Sequence, residues 1–413
     1  MWKLASSLAE HGLSIRHSLV PYEWTYFERV LPYLLPLRLA FGPRPATYSV
    51  GNVLLGALTS LLVYGMTRRW FGAGAARVAL VVSLAAVETV LAAEIPTHDV
   101  PGAFYTLLAL AVFLAVWELR SLGRHRAALL AGAGFGLAVL VLDFQRSTGN
   151  VMLLSSTLLG LAMALVEGQA SGRPAADRGR RLAGALLLVL LPWMVFGTAD
   201  WALRKAALRV PPSWRAKGGG MGLAAATDSW GDGSYMHYVN NYFIPYHAVT
   251  LNWSRLALVK LAADTHDHPA ARVTSYMRKA KVLFDLGSQT YFYLHAAELR
   301  GVGAIDGGRE ARILAISRWF SALFLGALLA ACYRLWKLPE VPLPILLPLL
   351  YLAVFAAILI FLAEVQPRYL YPIWYIGAIY IGALLGRPSG ARFRVRDTIA
   401  AAPPRRMPDD PLQ

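Results

Sequence analysis

The chain alternates long apolar stretches with short polar turns. Nine stretches reach the roughly 20 mostly apolar residues that a membrane-crossing helix needs. They run over 47–67, 74–93, 100–119, 127–144, 149–166, 181–199, 313–334, 342–363 and 369–386. The second carries Glu88 and the fourth Asp143. Ahead of them, residues 27–41 are apolar but interrupted by Pro32, Pro36 and Arg38, a pattern that suits a helix lying in the membrane interface rather than crossing it. Leu4 to Glu10 reads as a short amphipathic helix stopped by Gly12. The expected fold is therefore an all-α polytopic membrane protein. Its parts are an interfacial segment 1–46, six spans over 47–199, a large loop 200–311, three spans over 312–387 and a tail 388–413.

The loop opens with Pro211-Pro212 and Gly218-Gly219-Gly220, then becomes aromatic with Trp230, Tyr235, Tyr238, Tyr242, Phe243, Tyr246 and Trp253. Helical spacing returns near 252, and 269–296 mixes Arg272, Arg278, Lys279 and Lys281 with Val273, Tyr276, Val282 and Phe284. This predicts a mostly helical loop domain resting on the membrane surface. The Pro- and Arg-rich tail is expected to be disordered.

Charge orients the spans. The alternate short loops hold twelve basic residues: Arg68, Arg69, Arg77, Arg120, Arg124, Arg126, Arg173, Arg178, Arg180, Arg181, Arg334 and Lys337. The opposite set holds two, Arg146 and Arg368. The positive-inside rule makes the first set cytoplasmic, and the basic tail joins it. The net charge of +16 on a chain that is 57% hydrophobic and 15% charged is then topology, not a nucleic-acid footprint. The expected location is the inner (plasma) membrane, with the tail cytoplasmic. Residues 1–46, the turns 94–99, 143–148 and 364–368, and the loop 200–311 fall on the extracytoplasmic side. The N-terminus holds no signal peptide, so a further span upstream of Met1 is expected. One cysteine, Cys332, excludes an internal disulfide and reads as a packing thiol.

Ionisable residues at span ends are the candidates for chemistry. Glu94, His98 and Asp99 share one outward turn with no basic residue. A carboxylate there suits a general base or a divalent metal; the bland alternative is an acidic turn left outside by the charge rule. Gln366, Arg368 and Tyr369 form a second turn. An outward arginine among aromatics suits a phosphate, or else snorkels at an aromatic belt. Asp143 and Arg146 either pair with each other or leave Arg146 as a second phosphate contact. Asp264-Thr265-His266-Asp267-His268 offers metal-type side chains, but without further ligands fixed by spacing it reads as a surface loop. Gly132, Gly134 and Gly136 have small-residue spacing and read as a helix-packing face.

The order of these segments resembles the GT-C fold of polytopic glycosyltransferases, in the branch of the protein O-mannosyltransferases and the lipid A aminoarabinose transferase. The resemblance rests on Leu4-Ala5, Leu8 and Gly12, then Leu31-Pro32 to Leu37, Arg69-Trp70-Phe71-Gly72, Asp99, Ala131-Gly132 to Leu140, and Pro367-Arg368-Tyr369-Leu370 with Pro372. Each motif is weak alone; their order over most of the membrane part carries the likeness. The family's first acid, usually assigned as the base, precedes the first of these helices, whereas this chain has Met1-Trp2-Lys3 there.

The resemblance implies transfer of a sugar from a polyprenyl-phosphate carrier to an extracytoplasmic acceptor. Asp99 and Glu94 are the candidate catalytic acids. Arg368, Tyr369, Arg146, His98 and Gln366 are the candidate substrate contacts. The expected partners are the bilayer, the lipid-linked donor and the acceptor, with no nucleic acid. Two alternatives stand beside it: a transporter of lipid-linked sugars, for which a buried acid such as Glu88 near the bilayer midplane would speak, and a truncated paralogue that binds carrier lipid without turnover.

Overall fold

The computed structural model describes residues 10, 30–42, 44, 46–94, 98–146, 148–169, 175–203, 259, 261–263, 265–298, 306–337, 343–362 and 367–386. Among them every regular element is helical. In chain order these are α1 (Leu34–Phe41), α2 (Ala46–Phe71), α3 (Ala73–Ala85), α4 (Val87–Glu94), α5 (Asp99–Ser121), α6 (His125–Arg146), α7 (Gly149–Gln169), α8 (Ala175–Trp201), α9 (Pro269–Phe284), α10 (Gly287–Glu298), α11 (Gly307–Trp336), α12 (Leu347–Leu362) and α13 (Ile373–Leu385). Short 3₁₀ turns at Leu343–Leu346 and Pro367–Leu370 precede the last two.

All nine apolar stretches are helical, but they do not all have the length of a span. Among the described residues six helices are long and apolar enough to cross a membrane, and the bent pair α3–α4 makes a seventh if its two halves count as one span. The chain is thus a multi-pass membrane protein, all-helical over its described residues. The stretch 74–93 breaks at Ala86, whose extended backbone turns the two halves by 57°. The stretches 149–166 and 369–386 give shorter apolar helices, Gly149–Leu165 and Ile373–Leu385. The second holds only 13 residues, about 20 Å at 1.5 Å per residue.

The reason α13 can be short is where it sits. Every residue from Ile373 to Ala383 is buried. It packs against α2, α3 and α11, so it meets protein rather than lipid. Its contact with α3 is backbone-close. A Cβ on Gly382 would lie 2.6 Å from the Ala75 carbonyl oxygen, and one on Gly386 would overlap Ala75 Cα. Small residues therefore set the helix separation here. Gly132 and Gly136 likewise face α8, where a Cβ on Gly136 would meet the Pro192 carbonyl at 2.8 Å. Gly134, the middle residue of that predicted packing face, opens onto empty space. Cys332 is half-buried against the core, close to the expected packing thiol.

Helices α5 and α6 form a tight hairpin through a turn at Gly123, whose φ of +72° favours a residue without a side chain. At the same end as that turn, Arg69 pairs with Glu118 and Arg120 lies 4.7 Å from the Trp117 ring. At the other end, the start of α5 meets the end of α6. Of the loop 200–311, the described part includes α9 and α10, which pack on the Pro367–Leu370 turn. The aromatic run 230–253, the helix expected at Leu4–Glu10 (Glu10 excepted) and the tail 388–413 lie outside the described residues. So do Gln366 and the side chain of Glu94. Residues 31–41 form a turn and the short helix α1, which packs on α2. Here Tyr33 donates to Asn52 Oδ1 at 2.9 Å, while Asn52 donates on to the Ala93 carbonyl at 3.3 Å.

Candidate functional site

Asp99 is the first residue of α5 and Arg146 the last of α6. An acid at a helix N-terminus and a cation at a C-terminus both complement the helix dipole. The hairpin places these two ends side by side, so each also neutralises the other. Arg146 Nη2 lies 3.3 Å from Asp99 Oδ1, with 3% of the arginine side chain and none of the aspartate exposed. Gly102 makes the approach feasible. It follows Asp99 by three residues, on the same helix face, and a Cβ there would stand 3.0 Å from Arg146 Cδ.

The Pro367–Leu370 turn closes the cluster from the far end of the chain. Arg146 Nη2 donates to the Arg368 carbonyl at 2.6 Å. Arg368 Nη1 stands 3.9 Å from Asp99 Oδ2, with 18% of its side chain exposed. The Arg146 guanidinium also lies 6.0 Å from the centre of the Tyr369 ring. Helix α10 supplies a fourth member, because the Tyr293 hydroxyl donates to Asp99 Oδ2 at 3.3 Å. Burial first, and then the charge of Asp99, push the Tyr293 hydroxyl well above the ordinary tyrosine value, so it stays a neutral donor. The ring of Tyr293 is held edge-on by Tyr371, and Trp374 Nε1 donates to Gln289 Oε1 at 3.0 Å.

The site therefore joins four sequence-distant segments around one carboxylate. Two guanidiniums face the Asp99 carboxylate. Arg146 Nη1 is buried and has no hydrogen-bond partner among the described residues. A buried donor of this kind is a standing cost of about 1–3 kcal/mol, which an anionic ligand would relieve. Arg368, at the exposed edge, is the part of the cluster that a ligand reaches first.

The other expected residues divide. His98 is buried beside Asp99 as the residue preceding α5. Asp143 serves the backbone instead, since its Oδ1 accepts the Gly149 N–H at 3.0 Å and so caps the start of α7. Arg146 meanwhile turns to Asp99. His266 and Asp267 pair at 2.8 Å on an exposed surface. No group of three or more metal-type side chains converges among the described residues. Asp99 itself is ringed by cations and a hydroxyl, a setting that does not suit a divalent metal.

Tyr293 and Gly102 escape sequence reading. Nothing local marks Tyr293 among the loop aromatics, and a glycine inside a span is ordinary. A further buried acid, Glu88, follows the break in the α3–α4 pair and lies within hydrogen-bond distance of Thr290 of α10 and Ser317 of α11. It thus lies between α10 of the loop and the apolar helix α11. Comparison with protein-family models, with curated proteins and with solved structures gives no match to this chain.

Proposed function

We propose that the protein transfers a sugar from a polyprenyl-phosphate carrier to an acceptor hydroxyl on the extracytoplasmic side of the membrane. The observation that carries this reading is the Asp99–Arg146–Arg368 cluster: a buried carboxylate faced by two guanidiniums, with a donor on Arg146 that has no partner among the described residues and a reachable guanidinium on Arg368. Apolar helices around it suit an isoprenoid tail, and fixed guanidiniums suit its phosphate. In the reaction the acceptor oxygen attacks the anomeric carbon and the bond from that carbon to the phosphate oxygen breaks. Arg368 and Arg146 then stabilise the charge that grows on the departing phosphate. Asp99 keeps both arginines in place and orients the acceptor. Glu94, from the same turn, is the carboxylate assigned to take the acceptor proton.

A transporter reading would place its acid in a cavity near the bilayer midplane. Glu88 has both of its hydrogen-bond neighbours in protein, Thr290 of α10 and Ser317 of α11, and the cations that suit a phosphate gather at Asp99 instead. The deciding experiment measures transfer from a labelled polyprenyl-phosphate sugar in membranes containing the protein. Arg368→Ala and Asp99→Asn are each expected to reduce turnover by two or more orders of magnitude, the usual loss on removing a charge-stabilising group (about 10²–10³). Normal turnover by both variants would sink the assignment.

A further inference from the structure

Glu88 takes no part in the cluster at Asp99, yet it is wholly buried. Its Oε1 lies 2.7 Å from Thr290 Oγ1 and 2.5 Å from Ser317 Oγ, and these two hydroxyls lie 2.6 Å from each other. The three oxygens form a closed triangle with hydrogen-bond distances on every side.

Proton counting decides the state of this triangle. Thr290 and Ser317 bring one hydroxyl proton each. With an ionised Glu88, two protons serve three oxygen–oxygen contacts. Whichever way the hydroxyls turn, one side is left with lone pairs facing each other at no more than 2.7 Å. A third proton removes the conflict. A carboxylic acid at Glu88 donates to Thr290, Thr290 donates to Ser317, and Ser317 donates back to Glu88 Oε1. Each oxygen then gives one bond and accepts one. The remaining oxygen, Oε2, has no partner among the described residues. As the carbonyl of a neutral acid it costs far less to bury than half of a carboxylate would.

Charge points the same way. Asp99, on neighbouring α5, is held by Arg146 and Arg368. Tyr293, on α10, donates to Asp99. Arg318, next to Ser317 on α11, is exposed. Among the described residues no cation pairs with Glu88.

We infer that Glu88, Thr290 and Ser317 form a proton-binding site that holds one proton as a buried carboxylic acid. The inference is independent of the sugar-transfer reading. The bound proton ties three helices together, because Glu88 follows the Ala86 break, Thr290 lies on α10 and Ser317 on α11. Thr290 stands one turn before Tyr293, so the helix fixed here also carries the hydroxyl that reaches Asp99.

Infrared spectroscopy of the purified protein in lipid, at neutral pH and with choline chloride as the salt, tests the site. The wild type is expected to show a carboxylic-acid carbonyl band at the high-frequency end of its range, since Oε2 receives no donor. Glu88→Gln, which supplies an N–H donor in place of the acid proton, is expected to fold and to lose the band. Ser317→Ala, which keeps the acid and removes one side of the triangle, is expected to keep the band at a shifted frequency. It therefore identifies the band even if the Gln variant fails to fold. A wild-type spectrum without such a band overturns the inference. Loss of the band when sodium chloride replaces choline chloride also overturns it, in favour of an alkali ion on an ionised Glu88.

Discussion

Neutralising Asp99 tests the cluster at its centre. Asn at this position keeps the shape and still accepts from Tyr293, but removes the charge opposite two guanidiniums. Two unit charges 4 Å apart interact by about 4 kcal/mol at an effective dielectric near 20, and Arg146 is closer than that, at 3.3 Å. Arg368 is both further away, at 3.9 Å, and more exposed, so water screens more of its share. Removing one partner of a buried pair costs about 3–5 kcal/mol, because the other charge stays buried without its counterion. Asp99→Asn is expected to destabilise by that amount, with most of the loss traceable to Arg146. Arg146→Gln should then cost much less in the D99N background than in the wild type. The coupling between the two changes is expected at about 1.5–3 kcal/mol. Unfolding in detergent, followed by tryptophan fluorescence, measures the four proteins of the cycle. Strictly additive effects would refute the pairing, and with it the claim that Asp99 holds Arg146 in place. A second arm adds inorganic phosphate. If the arginines accept an anion, phosphate should recover more stability in the D99N protein than in the double variant, D99N with R146Q, which keeps Arg368 alone.

Three further outcomes follow from the packing. Gly102→Val is expected to displace the Arg146 side chain, which a Cβ would meet at 3.0 Å, and to lower donor affinity more than thermal stability; an unchanged KM would count against the contact. Gly382→Val drives side-chain atoms into Ala75 and Ala79 and should cost about 1–3 kcal/mol or more, whereas Gly134→Ala, which opens onto empty space, should be neutral or mildly stabilising in the same melting assay. Tyr293 has a folded-state value raised above the ordinary 10.0, so its contribution is complete below that pH and is lost as pH rises through the folded value. The stability advantage of the wild type over Tyr293→Phe should therefore be constant near neutrality and shrink in strong alkali; an advantage that grows with alkalinity would contradict the assigned cause.

The membrane helices were legible because their signal is local. Twenty consecutive apolar residues declare a span whatever they later touch, and each of the nine stretches is helical. The bend at Ala86 was not legible. No proline or glycine stands at the break in Leu84-Ala85-Ala86-Val87, and alanine is a good helix former. The shortness of α13 was not legible either, since an apolar run reads the same whether lipid or protein covers it. What decides between them here is the seam of Gly74, Ala75, Ala79, Gly382 and Gly386. Its halves lie about 300 residues apart, too far for any window of sequence to join.

The site was half legible, and the legible half has a physical reason. Counting spans assigns every turn to one of two ends, and the charge bias singles out Arg146 and Arg368 as cations at the uncharacteristic end. Asp99 starts a helix at that same end. Residues chosen by parity and charge alone thus gather within 4 Å of a common carboxylate. Parity cannot order side chains around a point, and this is why Tyr293 and the Glu88 triangle stayed hidden. Both depend on how α10 docks between α4, α11 and the Pro367–Leu370 turn. That docking is itself chemical: α10 contributes Gln289, Thr290 and Tyr293, each hydrogen-bonded to a different element. Each of these bonds ties α10 to a helix of the apolar bundle, which fixes its register there. The helix that completes the arginine cluster is therefore held by polar contacts as well as by the burial of Tyr293 and Leu294, and a change at Glu88 should reach Asp99 through α10 before it is felt elsewhere in the bundle.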